Sequence, residues 1–210
     1  MAVDVFASST LPQVLAHHAA ERPQARALHF AGQDITYSEL ARRVDAAAAR
    51  LWHEWQVRPG DRVAWLGLNH ADQLVLLFAL ARLGAVLLPL NFRLAPAEWE
   101  RLVDDCSPRR LVHDEAFAQE AQALAQRKGL ALHAVESLAA AAPVAARDAP
   151  DHADPAAAVL LVYTSGTTSR PKAAVHTQSN LLAGMQVGAT AQGMSERDVV
   201  LTVLPLFHVG

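Results

Sequence analysis

Hydrophobic positions along this chain recur with two alternating rhythms. Leu40, Val44, Ala47, Ala48, Leu51 and Trp55 fall at three- and four-residue spacings, which puts them on one face of a helix. Thr36 with Glu39 three residues on matches a capping box at its start. Leu11 to Glu21 predicts an earlier helix, and the runs 27–30 and 35–37 around Gly32 predict a short hairpin. Compact apolar runs at Val63 to Leu66, Ala85 to Leu88, Leu111 to His113 and Ala131 to Val135 predict buried strands. Between them the pattern returns to helix. One helix is expected from a cap at Asn69 to Leu83, stopped by Gly84, a second from Pro96 through Asp105, and a third from Ala116 to Lys128. Strands separated by helices predict βαβ units, hence an α/β fold with a largely parallel sheet flanked by helices.

From Ser137 to Pro155 the periodicity stops and the composition turns to Ala, Pro and Asp, as in a surface connection. This divides the chain into a first α/β lobe at 1–136, a linker at 137–155, and the start of a second lobe at 156–210. The most apolar run, Leu74 to Leu90, contains Arg82, Gly84 and Pro89, so it reads as a buried helix followed by a strand and not as a membrane span. No basic, apolar leader opens the chain. The net charge is −3 with both signs interspersed, which leaves no footprint for nucleic acid or an anionic membrane. A single cysteine, Cys106, excludes an internal disulfide framework and reads as a small core residue. The ten histidines are scattered without zinc-site spacing, so no metal ligand is assigned. A soluble cytoplasmic protein is expected, and a homodimer is compatible with these features.

The chemistry concentrates between Val162 and Lys172. An apolar run from Ala156 to Tyr163 breaks into Thr164, Ser165, Gly166, Thr167, Thr168 and Ser169, and the stretch ends in Pro171-Lys172. Gly166 lets the backbone approach an anion closely, the hydroxyls are rotatable donors, and Lys172 is a compact positive charge. Nothing in the stretch is acidic. An anion cradle fits these residues, and so does a hydroxyl-rich surface turn after a strand. The Walker spacing is absent, because Gly166 is the only glycine and Pro171 precedes the lysine.

The same residues resemble the phosphate-binding signature of the AMP-forming, adenylate-forming enzymes, whose usual form is Y-T-S-G-T-T-G-x-P-K-G. The chain departs from it at Ser169 and Ala173, where glycine is usual. Tyr37-Ser38-Glu39-Leu40, the stretch from Val57 to Ala64, and the stretch from Leu83 to Asn91 resemble further segments of that family, in the same order. The resemblance therefore spans essentially the whole chain. The segment Leu204-Pro205-Leu206-Phe207-His208 is similar to one that borders the acyl pocket in acyl- and aryl-CoA synthetases. Amino-acid adenylation domains usually carry an Asp after the aromatic, so Phe207 and His208 point to a carboxylic acid lacking an amino group.

The resemblance implies the fold of the N-terminal part of the adenylate-forming large domain and a ligase reaction in two steps. ATP and a carboxylate give an acyl-adenylate and pyrophosphate, and CoA then takes the acyl group. Thr164, Ser165, Gly166, Thr167, Thr168, Ser169 and Lys172 would contact the ATP phosphates, and Phe207 and His208 the acid. Mg²⁺ is implied as phosphate counterion, held mostly by substrate oxygens. No catalytic residue is assigned, since the family's lysine lies downstream of Gly210. A fragment inactive alone is the expectation. Fatty, aromatic and short-chain acids all remain open as substrates. The alternative is a non-catalytic nucleotide-binding or assembly module that retains the fold.

Overall fold

The computed structural model describes residues 9–139, 149–164 and 172–208. Its first helix, α1 (Leu11–Glu21), is followed by a hairpin of β1 (Arg26–Phe30) and β2 (Gln33–Thr36). Ala31 and Gly32 turn that hairpin with φ of 50° and 77°, the positive values that a two-residue primed turn requires. Helix α2 (Tyr37–His53) starts at Thr36, whose hydroxyl accepts from the Glu39 N–H at 3.2 Å. The other half of the expected capping box is not made. The Glu39 carboxylate instead accepts from Arg42 and Arg43, because two guanidiniums one turn on offer it a charged partner.

Four parallel strands then alternate with helices. They are β3 (Arg62–Leu66), α3 (Ala71–Arg82), β4 (Val86–Pro89), α4 (Pro96–Cys106), β5 (Arg110–His113), α5 (Ala118–Lys128) and β6 (Ala131–Ala134). The helix expected from Ala116 begins as a 3₁₀ turn at Glu115–Phe117 before α5. A one-turn helix, α6 (Glu136–Ala139), follows β6. After residue 149 come β7 (Ala158–Thr164), antiparallel β8 (Lys172–Thr177) and α7 (Gln178–Ala191). The strand order is β6-β5-β3-β4-β7-β8, with β7 parallel to β4. The sheet therefore continues across the connection at 137–155, and the described part of that connection is tied to α3. The Arg82 guanidinium donates to the Ala149 carbonyl at 2.9 Å, and the His152 N–H to the Arg82 carbonyl at 2.7 Å.

Strand alternation builds a core on each face. Val63, Trp65, Leu87 and Val112 pack with α1, α2 and α3, whereas Ala64, Leu66, Leu88 and Leu111 pack with α4 and α5. The central strands β3 and β4, covered on both faces, read as apolar runs (Val63 to Leu66 and Val86 to Pro89) with no polar alternation. The buried Gln178 closes the first core, accepting from the Leu11 N–H and donating to the Ala81 carbonyl. Among the described residues no helix is long and apolar enough to cross a membrane.

One expected cap is corrected. The N-cap of α3 is His70, whose backbone is extended and whose Nδ1 accepts from the Asp72 N–H at 3.1 Å. The Asn69 amide is engaged instead with residues 204 and 206.

Candidate functional site

In an open α/β sheet, ligands bind beyond the carboxyl ends of the strands, where successive crossovers leave for opposite faces. Here the connection from β3 to β4 runs one way along the sheet and that from β5 to β6 the other, so that point lies between β3 and β5. Helix α3 leaves β3 for one face and α5 leaves β5 for the other, as their membership of the two cores shows. Asn69 follows the end of β3, and Phe92 follows the end of β4.

The Pro205–His208 turn sits on both of these residues. Asn69 Nδ2 donates to the Leu204 carbonyl at 2.9 Å, and Asn69 Oδ1 accepts from the Leu206 N–H at 2.8 Å. The Phe207 ring meets Phe92 edge-on at 5.2 Å, and the His208 N–H closes the turn on the Pro205 carbonyl at 3.0 Å. Phe207 is half-buried and the His208 side chain is exposed. A cleft of about 900 Å³ opens between the β1–β2 hairpin and the stretch 195–206, with His70 and Leu206 among its walls. Along that stretch Val199, Val200, Leu201, Val203 and Leu204 are exposed.

The hydroxyl-rich stretch begins at the same edge of the sheet. Leu87 on β4 is level with Leu160 on β7, so the parallel run ends at Thr164 on one strand and near Asn91 on the other. Thr164 closes β7, Lys172 opens β8, and the two are paired across the antiparallel ladder. Both side chains are exposed. Ser165, Gly166, Thr167, Thr168 and Ser169 lie outside the described residues. Ala173 lies in regular strand opposite Tyr163, and its φ is not among the positive ones, so the backbone there does not require glycine.

Sequence reasoning missed the anchor just before the loop. The Tyr163 hydroxyl donates to Asp105 Oδ2 at 2.5 Å, tying the end of β7 to the last turn of α4 across 58 residues of sequence separation. Burial, with the Asp105 hydrogen bond second, raises the Tyr163 phenol above its ordinary value, so it remains a donor. Beside it the Cys106 thiol donates to the Leu102 carbonyl at 3.1 Å, and burial pushes its pKa up, which disfavours the thiolate. Among the described residues no group of three His, Cys, Asp or Glu side chains is arranged to hold a metal ion.

The AMP-binding enzyme family matches residues 15–210. A feruloyl-CoA synthase of Amycolatopsis is 39% identical over 192 residues, a match covering 89% of this chain and 37% of that protein. An indoleacetate–CoA ligase of Aromatoleum aromaticum is 35% identical, with 95% and 41% covered. The chain thus spans about two-fifths of the length of these curated relatives. Among solved structures, o-succinylbenzoate CoA synthetase of Bacillus subtilis with its acyl-adenylate intermediate superposes with a TM-score of 0.83 at 28% identity. That likeness covers 96% of this chain and 51% of the other. The same enzyme in complex with ATP and magnesium gives a TM-score of 0.82, with 27% identity and 96% and 52% covered.

Proposed function

The chain belongs to the AMP-binding enzyme family, and from that premise we propose that it is the phosphate-holding N-terminal part of an acyl- or aryl-CoA ligase. One observation carries the reading. The Thr164–Lys172 rung, at the end of β7 beside β4, and the Phe207–His208 turn, seated on the segments that follow β3 and β4, lie at the same carboxyl edge of the sheet. A phosphate site and an acid site must adjoin for a carboxylate to reach the α-phosphorus of ATP.

In the first step a carboxylate oxygen attacks that phosphorus, the bond to the bridging oxygen breaks, and pyrophosphate leaves with its electron pair. The reaction brings one anion to another, so positioning and charge neutralisation carry most of the catalysis. Thr164 offers a hydroxyl and Lys172 an ammonium to the β- and γ-phosphates, with Ser165, Gly166, Thr167, Thr168 and Ser169 assigned to the same cradle. No carboxylate competes for Lys172 in any ion pair among the described residues. Mg²⁺ would neutralise phosphate charge while bound mainly through nucleotide oxygens, in keeping with its preference for few protein ligands. Phe207 and His208 border the acid, and the lack of a carboxylate side chain at these two positions suits an acid that carries no ammonium group. In the second step the CoA thiol attacks the acyl carbon and AMP leaves, giving the thioester.

ATP–pyrophosphate exchange across a panel of aromatic and aliphatic acids tests this reading. The chain joined to its downstream portion should support acid-dependent exchange, and the 210-residue chain alone should not. Failure of the longer protein to form an adenylate with any acid would leave a non-catalytic nucleotide-binding or assembly module that retains the fold as the surviving description.

A further inference from the structure

Asn69 does not cap α3, and what it does instead is specific. One side chain meets a carbonyl and an N–H two residues apart, Leu204 and Leu206, in the manner of a strand edge pairing with its neighbour. The turn that carries Asn69 is itself held from both sides. The Leu68 N–H donates to Asp114 Oδ2 at 2.6 Å, and His70 caps the helix that follows. A Cβ at Gly67 would stand 2.8 Å from that same Asp114 oxygen, so the close approach requires glycine. On the far side of the clamped segment, Phe207 is seated against Phe92.

We propose that Asn69 is a positioning residue for the carboxylate subsite. It holds the 204–208 turn beyond the carboxyl end of β3 and thereby sets where Phe207 and His208 stand. The inference rests on the reading of those two residues as bordering the acid. Asn69 acts through them and touches no reacting atom. The Asp114–Leu68 contact keeps the clamp preorganised, so little ordering remains to be done when the acid binds.

Two measurements test it. In the 210-residue chain, Asn69→Ala should speed hydrogen exchange of the Leu206 amide about tenfold while the amides of α3 are unchanged. Asn69→Asp keeps the acceptor and should fall between. Unchanged exchange at Leu206 overturns the clamp. In the chain joined to its downstream portion, Asn69→Ala should raise the KM for the acid about tenfold in pyrophosphate exchange and move the KM for ATP less than about twofold, with Asn69→Asp recovering part of the loss. An unmoved acid KM, or equal shifts in both, overturns the positioning role. Absence of exchange with every acid in the wild-type protein overturns the ligase reading and with it the carboxylate assignment, while the Leu206 amide still decides the clamp.

Discussion

Thr164 pairs with Lys172 as the terminal rung of the β7–β8 ladder, so the described ends of the hydroxyl-rich loop are cross-strand neighbours. Directly opposed residues in such a ladder stand about 4.5–5.5 Å apart. Backbone pairing therefore sets a hydroxyl and an ammonium side by side before any ligand arrives. Tyr163, one residue back, is fixed to Asp105. The lysine stem remains free to reach, but its root does not wander.

Lys172→Ala should lower kcat/KM for ATP about 10- to 100-fold in the chain joined to its downstream portion, as expected for loss of a charge-assisted hydrogen bond worth about 1.5–3 kcal/mol. Because the side chain is exposed, the melting temperature should not move. Lys172→Arg should recover only part of the activity, since a planar guanidinium does not replace a compact ammonium. Unaltered ATP kinetics in Lys172→Ala would remove this residue from the site.

The α/β architecture was legible because each helix carries its own periodicity and each strand its own apolar run. Gly84 and Pro96 marked real helix boundaries for local reasons of backbone conformation. Asn69 misled for the opposite reason. Its competing partners, Leu204 and Leu206, lie more than 130 residues away, and no local pattern announces them. Glu39 likewise chose nearby guanidiniums over the backbone N–H that its spacing suggested.

The residue types of the candidate site were visible in the stretch from Thr164 to Lys172 and in Phe207-His208. Their shared location was not. It depends on β5 crossing to the far side of β3 while β7 joins beside β4, a choice of strand order made by tertiary packing. The Tyr163–Asp105 anchor was hidden for the same reason. Each residue reads alone as an ordinary strand or helix position, and only the sheet brings them together.

Gly84→Ala should destabilise the chain by about 1–2 kcal/mol, the cost of a left-handed backbone for a residue with a Cβ. Gly84 ends α3 at φ +66° with the Ala85 N–H returned to the Leu80 carbonyl, and a Cβ there would stand 3.1 Å from the His152 carbonyl oxygen. At Gly129, which ends α5 at φ +65°, a Cβ would meet nothing within 4 Å among the described residues. Urea unfolding should therefore show a larger loss for Gly84→Ala than for Gly129→Ala. Equal losses would mean that the contact with His152 adds nothing to the backbone cost.

His133 should make the folded chain lose stability in mild acid. Its ring stacks on Trp55 at 3.7 Å between centroids, and its Nε2 is buried without a hydrogen-bond partner among the described residues. Burial, with the charge of Arg110 second, lowers its pKa from 6.5 to about 4. Above pH 6.5 the ring is neutral whether folded or not, and its contribution to stability is fully present. As pH falls from 6.5 toward 4 the unfolded chain takes up a proton that the folded chain refuses, so stability declines, and below that window the effect levels off. Because the ring is only half-buried, screening by solvent keeps the slope below the one-proton limit of about 1.4 kcal/mol per pH unit. His18, also lowered chiefly by burial, acts in the same direction. The measurement is therefore a difference between two proteins. His133→Phe keeps a ring against Trp55 and should show a shallower fall in melting temperature between pH 6.5 and 4 than the wild type. Parallel curves for the two would assign the acid sensitivity to other groups.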